Sequence, residues 1–206
     1  MNHRINNVTD LHNDAKSLYN ELIIGGNEES ADSILNNLNS GIENLKSSWE
    51  GKDAGTQINN VISVYNYVVE IRNKLAKLSE NCTLIAASYR EIQNTNGGGL
   101  SDLEKLNIAE KQVLPEYIDT RDTININEDA KIGKEYIDNA RTDLDTFIEN
   151  TQKYYNRIMD NWAMGPGKQE FEEAFSDFFN ASYKYKEMLN NVSNEIEKSL
   201  KSYNII

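Results

Sequence analysis

Ser48-Trp49-Glu50-Gly51-Lys52-Asp53-Ala54 lies between two long stretches that share one apolar period, and its reading decides the fold. Before it, Ala31, Ile34, Leu35, Leu38, Ile42, Leu45 and Trp49 recur at the three-four spacing of a helix with one buried stripe. After it, Ile58, Val61, Ile62, Tyr65, Val68, Val69, Leu75 and Leu78 resume that spacing. A glycine between two such stripes can take the left-handed conformation that ends one helix, and Asp53 can cap the next. The stretch therefore predicts the corner of a helical hairpin.

The corner pattern occurs twice. Trp162 follows Trp49 by 113 positions, and a gapless superposition sets Leu45 on Ile158, Ile42 on Tyr155, Ile58 on Phe171, Ile62 on Phe175 and Tyr65 on Phe178. This is a shared pattern of apolar positions around a Trp-Gly corner, with little identity behind it. The second copy reads Trp162-Ala163-Met164-Gly165-Pro166-Gly167, so its glycine comes one place later and a Pro-Gly pair is added.

The run Trp49-Glu50-Gly51-Lys52-Asp53-Ala54, entered from Leu45-Lys46-Ser47-Ser48, resembles the WXG family of small helical hairpins exported by type VII secretion systems. The resemblance covers residues 1 to 96 well and about 127 to 206 less closely. It implies that hairpin corners form part of a surface read by a secretion ATPase of the FtsK/SpoIIIE type. Carried over by position, the partner-binding residues are Trp49 and Gly51, with Trp162 and Gly165 at the second corner. The family's usual export signal, a Tyr followed four residues later by Asp or Glu after the second helix, has no clear counterpart. Tyr183 and Glu187 have the spacing but fall within the last helical stretch, Tyr89 is followed by Gln93, and Tyr203 stands too near the last residue.

Composition narrows the function classes. With 38% apolar and 26% charged residues and only 2 Pro, the chain of 206 residues suits long uninterrupted helices. A formal net charge of -12 leaves no basic patch for nucleic acid and disfavours an anionic membrane surface. The longest apolar stretch, Val61 to Val69, is broken by Ser63 and Asn66, so neither a transmembrane segment nor a cleavable N-terminal signal is expected. His3 and His12 lack the spaced partners of a zinc site and are expected on the surface, and Cys82 reads as a small, partly buried thiol. Gly97-Gly98-Gly99 lacks the Lys-Ser/Thr of a phosphate loop, so no enzyme, metal or cofactor is expected.

In chain order, a first segment from about Ile5 to Ile24, with Asn7 or Thr9 as cap, breaks at Gly25-Gly26-Asn27. Residues 5 to 49 then form either one kinked helix or two. A second helix runs from Asp53 to about Ile92, and a linker follows at 97–126, with a short helix near Ser101 to Lys111. Asn127 caps a third helix, whose stripe is Ile132, Tyr136, Ala140, Leu144, Phe147, Thr151, Tyr154 or Tyr155, Ile158 and Trp162. The fourth carries Phe171, Phe175, Phe178, Ser182, Tyr185, Leu189, Val192, Ile196 and Leu200 at near-heptad spacing. The expected fold is all-α: two long helical hairpins, 1–96 and 127–206, packed as an antiparallel four-helix bundle, in effect a fused pseudo-dimer. A long linker favours antiparallel hairpins, because corners at opposite ends require the chain to return along the bundle. The expected function is that of a type VII secretion substrate or an associated binding or chaperone protein. It would be secreted without a cleavable signal, or cytoplasmic before export, and its partners would be the ATPase, a helical effector or another WXG-like protein. The alternative is a structural helical-bundle scaffold unrelated to secretion, in which each Trp only plugs the core.

Overall fold

The computed structural model describes residues 4–25, 29–95 and 103–206. The predicted breaks at Gly26-Asn27 and Gly97-Gly98-Gly99, the acidic Glu28 and His3 lie outside these residues. The described chain is mostly helical, as the periodicity predicts. Helix α1 (Val8–Ser17) widens into a π turn (Leu18–Ile23), and α2 (Ala31–Ser48), α3 (Lys52–Thr95), α4 (Ala130–Asn161) and α5 (Pro166–Ser202) follow. Four very short strands accompany them: β1 (Arg4–Ile5), β2 (Trp49–Glu50), β3 (Asn125–Ile126) and β4 (Trp162–Met164).

The helix starts follow local chemistry. The Asn7 side chain accepts from the Asp10 N–H at 3.1 Å, and Ser30 Oγ accepts from the Ser33 N–H at 3.1 Å, each satisfying a donor of a first turn. Helix α4 begins later than predicted. Asn127 uses its side chain to accept from the Asp129 N–H at 2.9 Å and its carbonyl to accept from the Ala130 N–H at 3.2 Å, so it organises the turn before the helix.

The described residues between 5 and 49 form two helical pieces of one arm, both packed on α3 and α4. The arm runs antiparallel to α3. Arg90 donates to the Thr9 hydroxyl near one end, and Arg72 Nε pairs with Asp32 at 3.0 Å nearer the corner. The most extensive helix contact joins α2 to α4, at a place where Gly41 and Gly133 meet. A Cβ on Gly133 would stand 2.9 Å from Leu45 Cγ and 3.1 Å from the Gly41 carbonyl oxygen. This close approach rotates the buried face of α4. Ile132 is exposed and Tyr136 half-buried, while Gly133 and Ile137 take the core positions that the sequence reading assigned to Ile132 and Tyr136.

Helix α3 is buried on more sides than one stripe requires, with Val64 and Ile71 inside along with Ile58, Val61, Ile62, Val68, Val69 and Leu75, while the predicted Tyr65 and Leu78 are half-buried. The extra cover comes from the linker. The short helix expected near Ser101 to Lys111 is absent from 103 onward, where the chain is extended and lies along α3. Side chains of α3, with His12 and Tyr19, pair with many of the linker's backbone groups in place of helical hydrogen bonds. Asn59 donates to the Tyr117 carbonyl and accepts from the Tyr117 N–H, both at 2.8 Å. Asn66 does the same to Leu114 at 2.9 and 2.7 Å, and Asn73 to Lys111 at 2.9 Å in both directions.

Candidate functional site

The two predicted corners are built from the same parts. At the first, α2 stops at Ser48 because Trp49 turns extended, with φ -137° and ψ 126°, and its N–H donates back to the Leu45 carbonyl. Gly51 follows with φ +108°, a conformation that L side chains rarely adopt, and α3 starts at once. At the second, Trp162 is extended with φ -119° and ψ 98°, Gly165 has φ +137°, and Pro166 opens α5. The added Pro-Gly has a packing role: a Cβ on Gly167 would meet Trp162 Cζ2 at 3.0 Å.

Each corner is closed by a short strand from elsewhere in the chain. Strand β1 pairs antiparallel with β4, placing Ile5 opposite Trp162, and β3 pairs antiparallel with β2, placing Ile126 opposite Trp49. The flanking bonds repeat as well. The Asn6 N–H donates to the Asn161 carbonyl at 2.9 Å, and the Asn127 N–H donates to the Ser48 carbonyl at 3.0 Å.

Neither indole is a surface feature. Trp49 is 0% and Trp162 1% exposed, so neither indole itself lies in a surface that a partner could read, as the resemblance implied of the corners. Trp49 packs edge-on against Tyr203 at 6.4 Å between centroids, and Trp162 lies 5.9 Å from the Phe171 ring. Both ring N–H groups are buried without a hydrogen-bond partner. The predicted pairs Trp49/Gly51 and Trp162/Gly165 thus sit in two separate corners, each indole plugging the core and only the rim open: Lys52 and Met164 are exposed.

Gly51 has a partner the sequence reading missed. Its N–H donates to Asp119 Oδ2 at 2.9 Å, and the same carboxylate receives the Arg121 guanidinium at 2.8 and 2.9 Å and the Arg121 N–H at 3.0 Å. Arg121 also pairs with Glu50. The Arg121 hydrogen bond first, and the Gly51 N–H second, hold the Asp119 carboxyl far below the usual carboxylate range. The linker therefore clamps the first corner through a residue 68 positions from Gly51, a separation no local motif reports.

His12 is a correction. It is 4% exposed, with Nε2 donating to the Glu104 carbonyl at 2.6 Å, so it anchors the early linker to α1 and does not stand on the surface. Cys82 is fully buried, and burial pushes its thiol up, away from the reactive thiolate form. Among the described residues no group of three or more His, Cys, Asp or Glu could hold a metal ion, and no helix is long and apolar enough to cross a membrane. No family model, curated protein or solved structure matches the chain.

Proposed function

We propose that this chain works by helix–helix protein interaction in a type VII secretion system, as a substrate or an associated binding or chaperone protein. In this reading its two hairpins form an antiparallel four-helix bundle, a covalently fused version of the dimer typical of the WXG family. The observation that carries the proposal is the reciprocal closure of the two corners, with Ile5 facing Trp162 and Ile126 facing Trp49. Such closure is what two subunits on one plan make when each lends its leading strand to the other's turn. The antiparallel arrangement is supported by the neighbours of each Trp. Tyr203, at the end of α5, touches Trp49, whereas Ile85, about 50 Å along α3 from Gly51 by helical rise, lies beside Gly167 near Trp162. A corner joined to the tail of the other hairpin is the kind of surface that the family resemblance links to the secretion ATPase, with a helical effector or another WXG-like protein as further partners.

A second reading, a structural scaffold unrelated to secretion, is favoured by one fact: both corner indoles are buried. The two separate at the exposed rim. In the native host, the intact protein should appear in culture supernatant only when the membrane-bound secretion ATPase is present. Lys52→Glu and Met164→Asp, both at exposed positions, should reduce that export while circular dichroism shows an unchanged fold. Retention in the cytoplasm regardless of the ATPase supports the scaffold.

A further inference from the structure

Ile71, Leu78, Ile85 and Ile92 stand seven residues apart on α3 and so form one line along it, the spacing of a seam that packs against another helix. Cover runs out along that line. Ile71 is 3% exposed, Leu78 and Ile85 are half-buried, and Ile92 is 66% exposed. The cause is length. Helix α5 starts at Pro166, and a Cβ on Gly167 would lie 3.4 Å from Ile85 Cδ1, whereas α3 runs on from Ile85 to Thr95, about 15 Å further by helical rise. Beside the line, two hollows open between α3 and α5. One, of about 420 Å³, has Leu78, Cys82, Ile85, Trp162, Phe171 and Ala174 in its walls. The other, of about 280 Å³, shares Leu78 and Ala174 with it, so the two form one groove. The two-hairpin plan does not itself demand an apolar line here. At the matching positions of the second hairpin, 113 residues on, stand Lys184, Asn191 and Lys198, all exposed, in place of Ile71, Leu78 and Ile85.

The two edges of the groove differ in charge. On the α3 side, Lys74 and Lys77 are paired with Glu70 and Glu80. On the α5 side, Glu170 borders the larger hollow and Asp177 the smaller. Both are exposed, and neither stands in an ion pair among the described residues, though Asp177 lies within electrostatic reach of Lys74. The groove is thus an apolar strip with one uncompensated acidic edge, in a chain of formal net charge -12. A basic occupant is favoured there, and a second copy of this acidic chain is not. We propose that the groove is the docking site for one amphipathic helix of a partner protein, apolar at heptad spacing against Leu78, Ile85 and Ile92 and carrying Lys or Arg on the edge that meets Glu170 and Asp177. From Lys74 to Ile92 the groove is about 27 Å long, enough for about 18 residues of helix. Glu170 and Asp177 are seven residues apart, about 10.5 Å along α5, so two basic residues one heptad apart on a nearly parallel helix meet both at once. The apolar strip supplies affinity, and the acidic edge selects the sign and register of the partner.

Two fluorescein-labelled synthetic peptides test the groove. Each has three heptads with Leu at a and d and Ala or Gln elsewhere, except that one carries Lys at every e position and its twin carries Glu. Both are titrated with the full-length chain and followed by fluorescence anisotropy. The Lys peptide should bind saturably and at least about tenfold more tightly than its twin. Ile92→Ser should weaken that binding about tenfold, because it removes one buried contact of the seam. Glu170→Lys/Asp177→Lys should reverse the order of the two peptides. All three positions are exposed, so each variant should keep the native circular dichroism spectrum. The proposal is overturned by absence of saturable binding, by equal affinity of the native chain for the twins, or by a charge-reversed chain that keeps the native preference. Binding indifferent to Ile92→Ser overturns it as well. The groove would receive the helical partner of the proposed secretion function, and it rests on that reading only for the partner's identity. The peptides read binding without export, so failure here and failure of ATPase-dependent export are separate results.

Discussion

Trp49 and Trp162 bury whole indoles while leaving the ring N–H unpaired, so their contribution comes from apolar packing. Trp49→Ala and Trp162→Ala should each cost about 3–5 kcal/mol in urea denaturation, the usual range for large core truncations. A loss below about 1 kcal/mol would refute the plug role. At Gly51, alanine meets two obstacles, the φ of +108° and a Thr123 carbonyl oxygen 2.8 Å from the added Cβ. Gly51→Ala should therefore destabilise by about 1–3 kcal/mol, and Asn, which tolerates positive φ, should not rescue it. Asp119 sets a pH dependence with a definite sign. Its folded pKa lies below the unfolded value, so its contribution is full above the ordinary carboxylate range near about 4 and is lost as pH falls. The stability gap between native chain and Asp119→Asn should be constant from pH 7 to about 5 and close progressively below about 4. A gap that widens on acidification would contradict the clamp.

The contact of α2 with α4 depends on two glycines meeting without side chains. Gly133→Val places branched carbon against Leu45 and the Gly41 carbonyl, and the cost of overpacking, about 1–3 kcal/mol, should appear in thermal unfolding. A neutral result would mean that the helices separate there without penalty. At this scale the apolar periods of α2, α3 and α5 were readable from the chain, since each stripe predicts its own buried face. In α4 only the start of the stripe was misread, by one position at Ile132 and Tyr136, whereas Ala140, Leu144, Phe147, Thr151, Ile158 and Trp162 are buried as their spacing predicts. The face there is set by the contact of Gly133 with Gly41, and a glycine carries no hydropathy signal. The linker was misread for a related reason. The stretch near Ser101 to Lys111 suggests a helix, yet side chains distant in sequence supply other backbone partners there: His12 for Glu104, Thr83 for Leu106, Tyr19 and Arg72 for Ala109, and Asn73 for Lys111.

The core is one contiguous cluster that draws on α1 to α5, and each corner is closed by residues distant in sequence. Unfolding should therefore be a single event. With Trp162→Phe reporting Trp49 and Trp49→Phe reporting Trp162, fluorescence melts should coincide with each other and with helix loss once each is referred to its own variant. Separated transitions would show that the two hairpins fold independently. The sequence by itself determined the helical class, the two Trp-Gly corners and most buried stripes, because period and turn chemistry are local properties of the chain. Only the tertiary structure decided that both indoles are buried, that Asp119 clamps Gly51, that His12 is an interior anchor and that the linker rides on an asparagine track. Each of these rests on a contact between residues far apart in sequence, where a hydrogen bond or a close approach outweighs the local preference of either partner.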